Sequence, residues 1–256
     1  MLEAHTKIID FIRSLYPGIH PVPLHAPVFL GNEKKYLEDC INTTFVSYVG
    51  KYLTQFEEQI ATFTGARYAV AMMNGTTALQ IALQLAGVER GNEVITQALS
   101  FVATANAISH AGGIPVFIDV DTDTLGMSPE KLRVWLELNS KIDEKTGQCI
   151  NKTSGNTISA IIPMHTFGHP CRIVEIIEVA DEYGIQVIED AAESLGSYYR
   201  GKHTGTFGLL GILSFNGNKT ITAGGGGMLI CQDSNELASH CTRLLQDDII
   251  RKTMSV

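Results

Sequence analysis

The sequence predicts an α/β fold: a mostly parallel β-sheet covered by helices on both faces, a three-layer α/β/α arrangement. Three observations carry that expectation. From residue 68 onward, short apolar runs alternate regularly with segments of helical period. Glycine and small polar residues punctuate the runs, so turn chemistry separates each element from the next. The 256 residues are 45% apolar and 18% charged, enough apolar material for a sizeable core and too little charge for a disordered chain. No internal repeat or low-complexity tract interrupts the alternation.

Residues 1–45 precede this pattern as a helical and extended segment, and 46–256 read as one large domain. Residues 2–15 pattern as an amphipathic helix that Pro17 and Gly18 end. Residues 21–27 are expected to be extended, because a residue before proline avoids the α region. A second helix covers 32–42, and 43–50 is a polar-aromatic linker. A third helix covers 51–64, with Phe56, Ile60 and Phe63 on one face and Gly65 as its stop.

The alternation then begins with a buried strand at 68–73 and a helix at 76–86. A strand at 93–96, a helix at 101–111 and a strand at 115–120 follow. Ser128 caps a helix over 129–138, with Pro129 at the favoured first position. Residues 139–156 are polar and read as a surface excursion. A strand at 157–164, a helix at 171–183 and a strand at 185–189 continue the pattern. The apolar runs 208–213 and 228–231 are strands, a helix covers 235–245, and the tail 246–256 adds no strand.

Composition excludes several classes. A net charge of −8 argues against nucleic acid as the main partner. Five cysteines, an odd number with no CxxC pair, fit the reduced thiols of a cytoplasmic protein. The N-terminus lacks a signal-peptide core, and no apolar run approaches the roughly 20 residues of a membrane span. His165 and His169 are four apart, but Gly168 and Pro170 break the helix that would put them on one face, so no metal is expected. There is no G-x-G-x-x-G after a strand, no G-x-S-x-G elbow, and the glycines before Lys219 have the wrong spacing for a P-loop.

The chemistry concentrates where strands end, because open α/β sheets bind ligands beyond the carboxyl ends of their strands. Lys219 sits in Ser214-Phe-Asn-Gly-Asn-Lys-Thr-Ile-Thr-Ala-Gly-Gly-Gly-Gly-Met228, between two apolar runs. Desolvating an amine favours its neutral, imine-forming state; a phosphate-binding or plain surface lysine is the alternative. Asn74-Gly-Thr-Thr-Ala78 opens a helix with small residues, which suits either a phosphate or an ordinary N-cap. Asp190 ends a strand and can hold a ring nitrogen positive, or cap a helix; the Glu189-Asp190 pair also suggests metal-assisted phosphoryl transfer, though no Walker A loop accompanies it. Phe101 either stacks on a flat cofactor or belongs to the core. Together, an aromatic, a helix N-terminus, an acidic strand end and an imine-forming lysine are what pyridoxal phosphate needs.

Asn74-Gly-Thr-Thr-Ala-Leu, Ser100-Phe-Val-Ala-Thr-Ala-Asn-Ala, Pro115-Val-Phe-Ile-Asp-Val-Asp, Glu189-Asp-Ala-Ala-Glu-Ser and Ser214-Phe-Asn-Gly-Asn-Lys resemble the DegT/DnrJ/EryC1/StrS sugar aminotransferases. The resemblance covers roughly residues 20–245, with the motifs in family order, and looks closest to the LegC-like branch linked to legionaminic acid-type sugars. It implies the large domain of a fold type I pyridoxal-phosphate transferase. By position, Lys219 forms the imine with the cofactor, Asp190 pairs with the pyridinium nitrogen and Phe101 stacks on the ring. Gly75, Thr76 and Ser214 hold the phosphate. Glu193 stands where many members carry Gln beside the cofactor's phenolic oxygen, a departure that requires a proton or a different partner for the carboxylate. His165 and Asn106 are expected near the sugar.

The implied reaction is ping-pong transfer of an amino group, usually from glutamate, to a nucleotide-linked 4-keto-6-deoxy sugar at a homodimer interface. Lys219 serves as the general acid–base. Two alternatives follow from the same resemblance. A dehydratase relative would replace the lysine by histidine, and Lys219 counts against it. Family members also continue past this chain with a smaller C-terminal domain, so a truncated, inactive cofactor-binding domain is the other expectation.

Overall fold

A computed structural model of the chain describes residues 2–46 and 50–232. The N-terminal segment holds α1 (Leu2–Leu15) and α2 (Glu33–Thr43), joined by the irregular stretch 16–32. Neither helix has a side chain recorded as buried, and Ile8, Phe11, Ile12, Leu37 and Ile41 are all exposed. The rest of the described chain is a sheet with helices on both faces. The expected helix at 235–245, the tail, and 47–49 of the linker lie outside the described residues.

Helix α3 (Lys51–Thr64) ends where Gly65 turns left-handed at φ 72°, a geometry that favours glycine. Strand β1 (Tyr68–Met72) leads into α4 (Gly75–Leu85), whose N-cap Asn74 accepts the Thr77 N–H at 2.8 Å. Then come β2 (Glu93–Gln97), α5 (Val102–His110), β3 (Ile114–Ile118) and α6 (Pro129–Asn139). Ser128 caps α6 by accepting the Lys131 N–H, and Pro129 opens it. After a small hairpin, β4 (Ser140–Ile142) with β5 (Cys149–Asn151), the chain forms β6 (Ile158–Ile162), α7 (Ile173–Glu182) and β7 (Gln186–Asp190). A second small hairpin, β8 (Tyr198–Tyr199) with β9 (Lys202–His203), precedes β10 (Leu210–Ser214) and β11 (Gly227–Cys231).

Among the described residues, seven strands form one sheet in the order β1-β11-β10-β7-β6-β2-β3. The neighbours from β10 to β3 pair in parallel, whereas β11 is antiparallel to both β1 and β10. The sheet is therefore mostly parallel, with one reversed strand. That reversal starts β11 at the same edge where the parallel strands end.

Strand side chains alternate between faces. On one face Val94, Ala160, Ile162, Ile188, Ile212 and Leu229 pack against α4 and α5. On the other, Ile95, Ile161 and Val187 meet α6 and α7, while Leu213, Met228 and Ile230 meet Ile60 of α3. Full burial of each large aliphatic side chain contributes about 1.5–3 kcal/mol.

Three expectations require correction. Among the described residues strand β1 lies at the sheet edge with no strand on its outer side, and only Met72 in it is buried. The polar excursion at 139–156 contains the hairpin β4–β5. Its anchor is the buried Glu93 carboxylate, which accepts from Asn151 Nδ2 at 2.7 Å and Ser154 Oγ at 2.5 Å. Phe63 is exposed rather than packed beside Ile60, and its ring meets the edge of His203 at 5.9 Å.

Candidate active site

Beyond the carboxyl ends of β1, β2, β6, β7 and β10 lies a cavity of about 290 Å³. Its walls include Gly75, Thr76, Phe101, Asp190, Glu193, Ser214 and Lys219. All seven of these sequence-predicted residues therefore meet at one place, although they are spread from the first strand to the loop after the sixth parallel one.

The glycine-rich segment builds one side. Phe215 is buried and anchors the loop 215–226: its carbonyl accepts the Ala223 N–H at 3.0 Å and the Thr222 hydroxyl at 3.1 Å. The Gly226 N–H donates to the Met73 carbonyl at 3.0 Å, which brings the start of β11 against the start of α4. At Gly227 a Cβ would sit 2.4 Å from the Asn74 carbonyl carbon, so only glycine allows this approach. At Gly75 a Cβ would meet Ser214 Cβ at 3.2 Å. The first turn of α4 thus lies directly on Ser214, and Gly75, Thr76 and Ser214 together line the cavity, where a helix N-terminus suits an anion.

Lys219 Nζ donates to Glu193 Oε1 at 2.9 Å and lies 5.9 Å from the centre of the Phe101 ring. The other Glu193 oxygen accepts the Phe167 N–H at 3.2 Å. The amine is thus largely buried and paired with a carboxylate. Glu193 has found partners in the protein, as the sequence required of a carboxylate there.

Asp190 lies deeper. Oδ2 accepts from Thr104 Oγ1 at 2.7 Å, which in turn accepts from Ser100 Oγ at 2.8 Å, and Oδ1 accepts the Ala192 N–H at 3.2 Å. Burial raises the Asp190 pKa above the usual carboxylate range, and the Thr104 hydroxyl and Ala192 amide oppose that rise. A cation or protonated ring nitrogen entering the cavity would relieve this buried carboxyl.

Glu189, one residue earlier, points to the opposite face. Its carboxylate accepts from His165 Nε2 at 3.0 Å and from the N–H groups of Gly205, Phe207 and Gly208 at 2.7, 2.6 and 2.8 Å. Burial works against its charge, yet His165 and the Gly208 and Gly205 amides hold its pKa below the ordinary value. Glu189 ties the end of β7 to the turn before β10.

His165 does not reach the cavity. Its side chain is wholly buried, and Nδ1 accepts the Cys171 N–H at 3.2 Å while Nε2 donates to Glu189. An unprotonated Nδ1 and a proton on Nε2 define the neutral tautomer. Asn106 is exposed on α5 and does not line the cavity. Neither residue is placed to approach a ligand beside Lys219 in this structure.

Sequence reasoning passed over Ala192, Asn216 and Asn218 in the wall, and Thr104 behind Asp190. Their signal was present: each lies within or next to one of the motifs at the strand ends, but nothing in a motif says which of its side chains turns inward.

An amine, a buried carboxyl and a helix N-terminus around one cavity, at the carboxyl edge of a doubly covered parallel sheet, define the large domain of fold type I pyridoxal-phosphate transferases. The DegT/DnrJ/EryC1/StrS aminotransferase family matches over residues 30–254, and the chain belongs to that family. It is 39% identical over 212 residues to GDP-perosamine synthase of Escherichia coli O157:H7, covering 83% of this chain and 53% of that protein. Identity is 41% over 210 residues to the putative pyridoxal phosphate-dependent aminotransferase EpsN of Bacillus subtilis, covering 82% of this chain and 51% of EpsN. The crystal structure of DesI with its TDP-sugar product superposes with a TM-score of 0.75 at 29% identity, over 89% of this chain and 53% of that one. The chain spans about half the length of the curated relatives it matches.

Proposed function

We propose that the protein transfers an amino group, with pyridoxal phosphate, from an amino acid to a nucleotide-linked 4-keto-6-deoxy sugar. The observation that carries this reading is that Lys219, Asp190 and the α4 N-terminus line one cavity. The likeness to GDP-perosamine synthase and DesI supports a nucleotide sugar as acceptor. Glutamate as donor, a legionaminic acid-type product for surface polysaccharide, and a cytoplasmic location complete the proposal. A homodimer is part of it, supported by the apolar side chains that α1 and α2 leave exposed.

When bound, pyridoxal phosphate supplies an aldehyde for covalent capture of amines and a ring that takes up electrons. The chain's own groups fit it. The N–H groups at Gly75 and Thr76, with the Ser214 hydroxyl, suit a phosphate. Asp190 would hold a proton on the ring nitrogen, with Thr104 fixing one carboxylate oxygen and Ala192 the other. Phe101 would cover one ring face and exclude water. Lys219 Nζ would be the amine that holds the cofactor covalently, and when free it would act as the general acid–base that moves a proton. Glu193 is placed to receive or return that proton at Oε1, 2.9 Å away.

The test is spectroscopic. Purified protein mixed with pyridoxal phosphate should gain visible absorbance, borohydride should fix the cofactor on the peptide containing Lys219, and glutamate should bleach the band. Lys219→Ala should abolish the fixed adduct. A colourless protein that fixes nothing at Lys219 sinks the proposal.

A further inference from the structure

We propose that Phe167 is a specificity residue, an aromatic platform beside the Lys219 cavity against which the nucleotide-linked acceptor packs. The inference rests on the reading of the site as an aminotransferase and extends it to a segment, His165-Thr-Phe-Gly-His-Pro170, that the chemistry of Lys219 does not otherwise use.

Phe167 combines two features that ordinary packing does not produce together. Its backbone is left-handed, with φ 53° and ψ 26°, a region that a bulky residue adopts only at a cost and glycine adopts freely. Its side chain is 82% exposed, so the ring returns almost no burial to offset that cost. Glycine would serve the backbone better, and a polar residue would serve the surface better. A strained residue held in place without a packing reason points to a function for its side chain.

The surroundings impose the strain from every side. The Gly168 N–H donates to the His165 carbonyl at 3.0 Å, the His169 N–H to the Thr166 carbonyl at 3.0 Å, and Ser197 Oγ to the Gly168 carbonyl at 2.6 Å. Gly168 is itself at φ 81°, and a Cβ there would lie 2.7 Å from the Glu193 carbonyl oxygen. Thr166 Oγ1 donates to the Leu125 carbonyl and accepts from Gln97 Nε2, both at 2.9 Å. Gln97 is wholly buried at the end of β2, and its Oε1 accepts the N–H groups of Met127 and Met164 at 2.9 and 3.0 Å. His165 is fixed by Glu189 and Cys171. One loop is thus rigidly built to present one exposed ring.

Its backbone lies close to the reacting amine. The Phe167 N–H is bonded to Glu193 Oε2, and Glu193 Oε1 holds Lys219 Nζ, so one carboxylate separates the platform's backbone from the reacting amine. An aromatic face there suits the flat base or the apolar face of a sugar in the acceptor, and it makes no demand on the cofactor behind Glu193.

The experiment compares wild type, Phe167→Gly and Phe167→Tyr in the full chain. UDP-N-acetylglucosamine, GDP-mannose and dTDP-glucose serve as calorimetric binding probes. Phe167→Gly should raise Tm by relieving the left-handed backbone, leave pyridoxal phosphate uptake unchanged, and weaken the best probe by about tenfold, within the range for loss of one stacking ring. Phe167→Tyr should keep the wild-type affinity. A residue with a merely structural role would instead lower Tm on mutation and leave probe affinity alone, and that result overturns the inference. So does a Phe167→Gly protein that changes oligomeric state at unchanged affinity, because the ring would then be a subunit contact. Wild type that takes up pyridoxal phosphate but binds none of the probes overturns the acceptor reading and this inference together. Absence of uptake in wild type overturns the cofactor reading, whereas uptake with equal probe affinity in wild type and Phe167→Gly overturns this inference alone.

Discussion

Lys219 Nζ and Glu193 Oε1 are 2.9 Å apart, and the second Glu193 oxygen is held by the Phe167 N–H. Glu193→Gln preserves shape and an acceptor but deletes the carboxylate charge and the proton-accepting oxygen beside Lys219 Nζ. A partly exposed pair of this kind contributes about 0.5–1 kcal/mol. With that proton acceptor removed, capture of pyridoxal phosphate should be about tenfold or more slower in Glu193→Gln, measured by stopped-flow absorbance. Unchanged or faster capture would show that Glu193 merely pairs with the amine and does not accept its proton.

Asp190 should behave in the opposite sense to a stabilising carboxylate. Burial raises its pKa in the folded protein, so ionising it there costs more than ionising it in the unfolded chain. Below the ordinary carboxylate range both states are protonated and the cost is absent; it grows as pH rises. Cofactor-free Asp190→Asn should match wild type in Tm at low pH and exceed it at neutral pH, while binding pyridoxal phosphate more weakly. Equal Tm values throughout a pH series would contradict this.

Glu189 has the reverse sign. Its pKa is held below the ordinary carboxylate value, so its contribution is present above that value and lost as pH falls through the folded-state pKa. Glu189→Ala leaves three amides and the His165 Nε2 proton without their acceptor in a buried site. The expected loss is about 3–5 kcal/mol by urea unfolding at neutral pH, shrinking under acid conditions. A loss near zero would mean that the turn at 205–208 relaxes without it.

Gly227→Ala tests how the α4 N-terminus is positioned. A Cβ at 2.4 Å from the Asn74 carbonyl carbon meets backbone, which cannot rotate away. The expected cost is about 1–3 kcal/mol in stability. Because α4 must shift, affinity for inorganic phosphate and for pyridoxal phosphate should fall together, read by equilibrium dialysis. Unchanged affinity would remove the first turn of α4 from the phosphate site.

Much of the site was legible because its chemistry is local in sequence. Lys219, Asp190, Phe101 and the 74–76 turn each sit at a junction where an apolar run stops, and a sheet of parallel strands brings such junctions to one edge. What was not legible depends on which way a side chain turns. Glu189 and Asp190 are adjacent carboxylates, yet strand geometry sends one to a hydrogen-bonded turn and the other to the cavity. The family resemblance placed His165 near the sugar; Glu189 and the Cys171 amide occupy both of its nitrogens inside the protein. Phe167 had no signal at all, since nothing in a sequence shows a left-handed backbone at a residue that does not favour it.

By itself the sequence determined the alternation of strands and helices, their caps and stops, and the residue types at each strand end, all of which follow from interactions within a few residues. The tertiary structure alone decided the strand order, the reversal of β11 that sets Gly227 against Asn74, and the edge position of β1. It also decided the pairing of Lys219 with Glu193, residues 26 apart in the chain. These depend on contacts between distant segments, where burial and hydrogen-bond satisfaction select one arrangement among many that local propensity allows equally.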